Sequence, residues 1–286
     1  MLGHLKSAVL LLCIGVFIAA CNQTSLAYRN LDWIIPWRVN QYLDLDSQQK
    51  AWLKPQVQAH LGWHCSTELP RYVAWLQRAQ ELLQQPHPDA GLLEAHMLEA
   101  EQAFHAVVQQ TNTTTVALLG GLRAEQVERL YARMDKDNLE DQKEFLEPPV
   151  ATQIKERAER LEKRLRPWFG SLNDAQRKRV GEWASERREQ NHQWLENRAR
   201  WQAEFRAALD ARGEVDFPER MSRVLESRRG TPDDEAEQAY RESRQAMAGL
   251  LSDLLATADD KQRMQASERL ASLQTDLAGQ ICSDQA

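Results

Sequence analysis

Cys21 is the residue with the clearest chemistry. It closes the run Ile18-Ala19-Ala20-Cys21, a small apolar triplet ending in a cysteine, which is the pattern of a lipobox. A thiol there can act as the nucleophile that takes a diacylglyceryl group, after which the cysteine becomes the mature N-terminus. His4 and Lys6 precede an apolar stretch from Ala8 to Ala20. At about 13 residues it has the length of a signal-peptide h-region and falls short of a membrane span. The expected organisation is a signal peptide over 1–20, a lipidated tether over 21–27 and a periplasmic helical domain over 28–286. Two or more acyl chains anchor stably where one binds only marginally. Asn22, in place of an aspartate, points to the periplasmic side of the outer membrane, with the inner membrane as the alternative. An ordinary signal peptide with a chance cysteine is the competing reading.

Other side chains that could do chemistry are scattered. His60 and His64 stand four apart on a predicted helix, a spacing that can bring two imidazoles to one metal, with Glu68, His96 or His105 as a third ligand. There is no HExxH and no Cys-x-x-Cys, so the expectation is no metal site and histidines that are exposed or hydrogen-bonded. There is also no nucleophile elbow and no phosphate-binding glycine loop. No catalytic residue and no cofactor is therefore assigned. Acid–base pairs need no local motif, so an enzyme acting on cell wall or lipid stands third among the functional readings. Asp135, Asp137, Glu140 and Asp141 lack the EF-hand pattern and read as a solvated face, with docking of a basic partner as the alternative. Arg157, Arg160, Lys163 and Arg164 interleave with Glu156, Glu159 and Glu162 and read as surface pairs.

Four cysteines occur in the chain. Cys13 leaves with the signal peptide and Cys21 takes lipid. That leaves Cys65 and Cys282, and an oxidising compartment favours one disulfide between them; two buried free thiols are the alternative. The net charge of −6 argues against nucleic acid as a partner. The charge is uneven: residues 155–206 hold 14 Lys/Arg against 9 Asp/Glu, so the remainder is strongly acidic.

The elements that must carry these residues are helical almost throughout. Ala, Leu, Glu, Gln and Arg dominate, and no alternating segment or hairpin signal appears. The fold class is all-α, a multi-helix bundle of antiparallel helices without a sheet. Periodicity predicts helices near 46–63, 66–84, 89–110, 123–136, 151–167, 173–210, 233–256 and 259–280. Breaks fall at Pro86-His87-Pro88, Gly120-Gly121, Pro148-Pro149, Pro167 to Gly170, Gly213 to Pro218 and Gly230 to Pro232. A sub-boundary is expected near 148–150. Four starts share one design, a cap position followed three residues later by glutamine: Asp46/Gln49, Arg123/Gln126, Asn173/Gln176 and Asp259/Gln262. They read as four ordinary helix starts, with a degenerate repeat of helical hairpins as the alternative.

Trp183, Trp194 and Trp201 are 11 and 7 residues apart, which brings them to one face of a continuous helix. Such a stripe reads as core. The alternative is a groove for an apolar peptide or lipid, flanked by Arg187, Arg188 and Arg198. Trp52, Trp63 and Trp75 are spaced similarly, with a helix break expected between the last two. Trp33, Ile34, Ile35 and Trp37 read as core closing the bundle, with a place in the membrane interface as the alternative.

The chain resembles an uncharacterised family of proteobacterial lipoproteins, the domain of unknown function 6279. The likeness rests on the lipobox followed by Tyr28-Arg29-Asn30-Leu31-Asp32-Trp33 and Tyr42-x-Asp44-Leu45. It continues through Trp63-His64 leading to Glu68-Leu69-Pro70-Arg71-Tyr72, then Lys143 to Pro148, and Trp168-x-Gly170-x-Leu172-x-x-x-Gln176. It implies an all-helical periplasmic lipoprotein and no particular activity. The Leu-x-x-x-Gln starts are also similar to the LTxxQ motif of small helical periplasmic stress chaperones, although threonine is absent at all four places. The expected function is a membrane-anchored, non-enzymatic binding or structural module of the cell envelope. Its partners are the membrane, through the lipid, and another envelope protein. A holdase-type chaperone or adaptor is the runner-up.

Overall fold

The computed structural model describes residues 27–227 and 234–282. The lipobox, Cys21 and the tether up to residue 26 lie outside the described residues. Eleven α-helices, and no strand, occur among those described. They are α1 (Leu31–Leu43), α2 (Ser47–Trp63), α3 (Leu69–Gln84), α4 (Ala90–Gly120), α5 (Ala124–Phe145) and α6 (Val150–Phe169). The series continues with α7 (Asp174–Glu186), α8 (Gln190–Asp210), α9 (Phe217–Glu226), α10 (Asp234–Ala256) and α11 (Asp260–Ala278). The chain is all-α, as its composition implies.

Two helices escaped the sequence reading, and both contain a proline. α1 carries Pro36 in its interior. α9 has Pro218 in its first turn, where the missing N–H costs nothing and the fixed φ suits a helix start. What reads in sequence as a break is thus the beginning of an element. The opposite happens at 173–210. The single predicted helix is interrupted over Arg187 to Glu189, so Trp183 lies on α7 while Trp194 and Trp201 lie on α8.

The break expected between Trp63 and Trp75 is not a break. α2 and α3 join through a π-helical turn, His64–Glu68, in which the Leu69 N–H reaches the His64 carbonyl five residues back. Pro70 supplies a reason. It has no N–H for the Ser66 carbonyl, and its ring would crowd that carbonyl in an ordinary α-turn. Single π-turns of this kind are frequent at functional sites.

Three groups of buried side chains form the core. One unites α1, α2, α4 and α5 with α8 and α9, around Leu53, Val57, Leu130, Leu209 and Met221. A second gathers Leu165, Phe169, Val180, Trp183, Leu250 and Leu254 from α6, α7 and α10. The third holds Cys65, Leu69 and Leu76 against Leu273 and Leu277 of α11. Segments before and after Pro148-Pro149 contribute to each group.

Cys65 and Cys282 form a disulfide with their Cα atoms 5.2 Å apart. It pins the end of the last helix to the π-turn. Closing a loop of 217 residues restricts the unfolded chain, an effect worth about 2–4 kcal/mol for a typical native bridge.

Several charged residues are deeper than their sequence pattern implies. Asp141 is buried and ion-paired with Arg198, while Asp135 pairs with Arg206 at 2.6 Å. The acidic cluster of α5 is therefore only partly a solvated face: Asp135 is exposed, Glu140 half-buried, Asp137 and Asp141 buried, and part of it meets the basic side of α8. Arg157, expected among surface pairs, is buried. It donates to the Ala184 carbonyl and the Asn191 side chain, each at 3.0 Å. Burial lowers the pKa of its guanidinium.

Candidate functional site

The residues of the alternative Trp/Arg surface are not gathered into one. Trp183 is buried in the second core group. Trp201 packs on the first, stacks on Phe205 and donates from Nε1 to the Val224 carbonyl at 2.9 Å. Trp194 is 36% exposed, edge-on to Phe145, with the Arg198 guanidinium 5.5 Å above its ring. Arg198 itself turns to Asp141. Arg187 is half-buried and Arg188 exposed, both in the turn that ends α7.

A concavity lies elsewhere. A cavity of about 930 Å3 opens between α1, α2, the π-turn, α3, α4 and α11. That volume lies toward the upper end of the ordinary range for small-molecule sites, about 300–1,000 Å3. Its wall is overwhelmingly hydrocarbon and aromatic. Leu31, Ile35 and Val39 come from α1, Val57 and Leu61 from α2, Phe104 and Val107 from α4, and Leu270 and Leu273 from α11. Trp63, Trp75 and Trp168 line it too and are half-buried, whereas Trp52, in the same sequence stripe, is 40% exposed. The stripe therefore does not behave as one core face.

Why these residues leave a space is legible in their elements. α4 presents small and β-branched side chains over Ala100 to Thr115, and the π-turn widens the rod formed by α2 and α3 opposite it. Leu270, Leu273 and Leu277 of α11 complete the wall.

A few polar groups interrupt the apolar wall. Tyr28 Oη and His64 Nδ1 share a hydrogen bond of 2.9 Å. Burial holds the His64 imidazole down to about 4, so it is neutral at pH 7, and pushes the Tyr28 phenol up to about 12. His60 Nε2 lies 2.8 Å from Thr114 Oγ1, and burial lowers this imidazole as well. Glu68, at 1% exposure, accepts from Arg71 on Oε1 at 3.0 Å. Its Oε2 is buried with no protein donor in reach, as is His60 Nδ1 without a partner. Arg71, Arg78 and Glu99 are the well-exposed charged residues of the lining.

The histidines do not assemble a metal centre. His60 and His64 each turn to a hydroxyl, His96 stacks on Trp75 with ring centres 4.3 Å apart, and His105 lies outside the cavity wall. Among the described residues no group of three or more His, Cys, Asp or Glu could hold a metal ion.

The family of unknown function DUF6279 matches residues 41–234. The chain belongs to this family. No curated protein and no solved structure is similar enough to match. Tyr28, Trp63, His64, Glu68, Arg71 and Tyr72, all from segments that carry the sequence resemblance, meet in the wall of this one cavity. Sequence reasoning weighed Glu68 only as a third metal ligand and did not foresee the space. The available signal was a lone carboxylate inside the aromatic run Trp63 to Trp75.

Proposed function

We propose that the protein is a lipid-anchored module of the cell envelope whose helical domain takes an apolar ligand into the cavity between α1, α2, α3, α4 and α11. The cavity carries this reading. A native interior normally fills its space at crystal-like density, and about 930 Å3 walled by leucine, valine and aromatic side chains is suited to a hydrocarbon occupant.

The membrane relation rests on the lipobox and on α1. Trp33 and Trp37 are 64% and 42% exposed and stack with ring centres 6.0 Å apart. They correct the expectation that these residues close the core; only Ile35, of the group, packs on it. Exposed indoles so soon after Cys21 suit a membrane interface. No helix among the described residues is long and apolar enough to cross a membrane; the anchor we propose is the lipid at Cys21. The proposed site is the periplasmic side of the outer membrane. The holdase alternative has less behind it, because Trp183 and Trp201 join separate core groups and Arg198 is taken by Asp141.

Two measurements test the reading. Cys21→Ser should abolish lipid labelling and leave an unprocessed precursor; normal labelling removes the anchor. The purified full chain should bind the uncharged fluorophore N-phenyl-1-naphthylamine saturably. Val107→Trp, which fills the cavity from α4, should weaken that binding while the melting midpoint holds or rises. Failure of the wild type to bind the fluorophore removes the cavity reading.

A further inference from the structure

We infer that the outer face of α1 rests on a lipid bilayer and that the cavity draws its ligand from that bilayer, as a lipid acyl chain that enters past α1. The inference rests on the reading that the cavity takes an apolar ligand, and it assigns the class and source of that ligand.

α1 has two apolar faces. Leu31, Ile35 and Val39, spaced four apart, line the cavity on one. Trp33 and Trp37, also four apart, are 64% and 42% exposed on another and stack on each other. One helix is thus both a wall of the cavity and a bearer of bare indoles. Nine residues separate Cys21 from Leu31, a reach of at most about 30 Å when fully extended. The lipid proposed at Cys21 keeps α1 near the bilayer surface, where indole rings are favoured. Arg29 is exposed, and the Arg38 guanidinium lies 5.2 Å from the Trp37 ring centre. Cations beside the indoles suit a surface of lipid phosphates; Asp32 is the one acidic residue of the helix.

α1 is also the weakly held wall. Leu43 is its one buried residue, whereas α2, α3, α4 and α11 each bury two or more. Pro36 has no N–H for the Asp32 carbonyl. The C-terminal end is fixed. Leu43 and Leu45 enter the first core group, and the Gln126 amide donates to the Leu43 and Asp44 carbonyls at 3.0 and 2.9 Å. A segment with few buried side chains opens at lower free energy than the core around it. The N-terminal part of α1 is therefore where the wall parts most readily, and it is the part nearest Cys21.

Behind α1 the wall is hydrocarbon and aromatic, from Phe104 and Val107 to Leu270 and Leu273. A methylene takes up about as much room as a water, about 30 Å3, so a sixteen-carbon chain fills about half of the roughly 930 Å3. A chain that crossed water would forfeit the hydrophobic gain of every methylene on the way. Entry directly from the bilayer keeps that gain.

The test reconstitutes the full chain in phosphatidylcholine vesicles, with a small fraction of the lipid carrying a diazirine at the end of one acyl chain. Irradiation labels whatever the chain end touches. Phe104 lies in the cavity wall, so label there reports a chain that has left the bilayer, and label there is the expected result. Trp33→Ser with Trp37→Ser, both at exposed positions, should cut it about fivefold or more, while the melting midpoint holds and N-phenyl-1-naphthylamine binding stays within about twofold. Val107→Trp, which fills the cavity, should remove the label as well; it serves if the serine variant does not fold. Wild type that binds the fluorophore but takes no label at Phe104 overturns the bilayer source and leaves the cavity reading standing. Label that survives loss of both indoles overturns the docking of α1, and label that survives Val107→Trp overturns entry into the cavity. Absence of any fluorophore binding overturns this inference together with the cavity reading.

Discussion

Gln176 and Gln262, 86 residues apart, exchange two amide hydrogen bonds, each 3.0 Å long. Both side chains also serve the start of their own helix. Gln176 Oε1 accepts from the Asn173 N–H and Gln262 Oε1 from the Asp259 N–H, while each cap side chain accepts from the glutamine N–H. Gln49 and Gln126 do the same for α2 and α5, with amide bonds of 3.2 and 2.9 Å. At Arg123 only half of the box exists, since a guanidinium has no acceptor and the Arg123 N–H alone bonds to Gln126. The four starts are thus two clasps, each tying a pair of helix N-termini that are distant in sequence.

The clasps should be energetically coupled. Gln176 is fully buried and also donates to the Leu254 carbonyl. Gln176→Ala leaves buried groups unpaired and should cost about 2–3 kcal/mol of unfolding free energy. Gln262→Ala strands the same partner, so the double variant should cost less than the sum of the singles by about 1 kcal/mol. Denaturant melts of the three variants check this, and strict additivity would show that the amide pair contributes no coupling.

Stability should fall on mild acidification, through His64. Its folded pKa of about 4 lies below the ordinary value of 6.5. A histidine depressed by folding binds its proton more readily in the unfolded chain. Its contribution is therefore whole above about pH 6.5 and is lost as pH falls toward about 4. The loss is about 3 kcal/mol for a shift of this size. Burial of His60 and His96 acts in the same direction. Unfolding midpoints measured from pH 7.5 to 4 should decline over that window, and His64→Gln should flatten the slope. A flat profile in the wild type would contradict the burial of His64.

Trp183 and Trp194 of the basic region should separate on truncation. Trp183→Ala removes a buried indole from the second core group and should cost about 3–5 kcal/mol. Trp194→Ala removes a partly exposed ring on Phe145 and should cost about 1 kcal/mol. Thermal melts of the two variants compare them directly. Equal losses would mean that α7 and α8 form the continuous helix that the spacing alone implies.

The all-helical class, most helix positions and the capping residues were legible in the sequence, because they depend on propensity, period and contacts within one turn. Asp46, Asn173 and Asp259 cap the helices that their types announce. The choice of Cys65 and Cys282 as partners was legible too, by elimination. What tertiary structure alone decided is where those local units meet. Gln176 finds Gln262, Asp141 finds Arg198 and Arg157 finds the Ala184 carbonyl only across helices far apart in the chain. Pro70, inside a predicted helix, follows a π-turn, and Pro218, at a predicted break, opens a helix. The cavity is the strongest case. A space is set by side chains from several elements that fail to meet, and no local pattern records a contact that is not made. Its one sequence trace is Glu68, a carboxylate whose burial only the packed bundle could enforce.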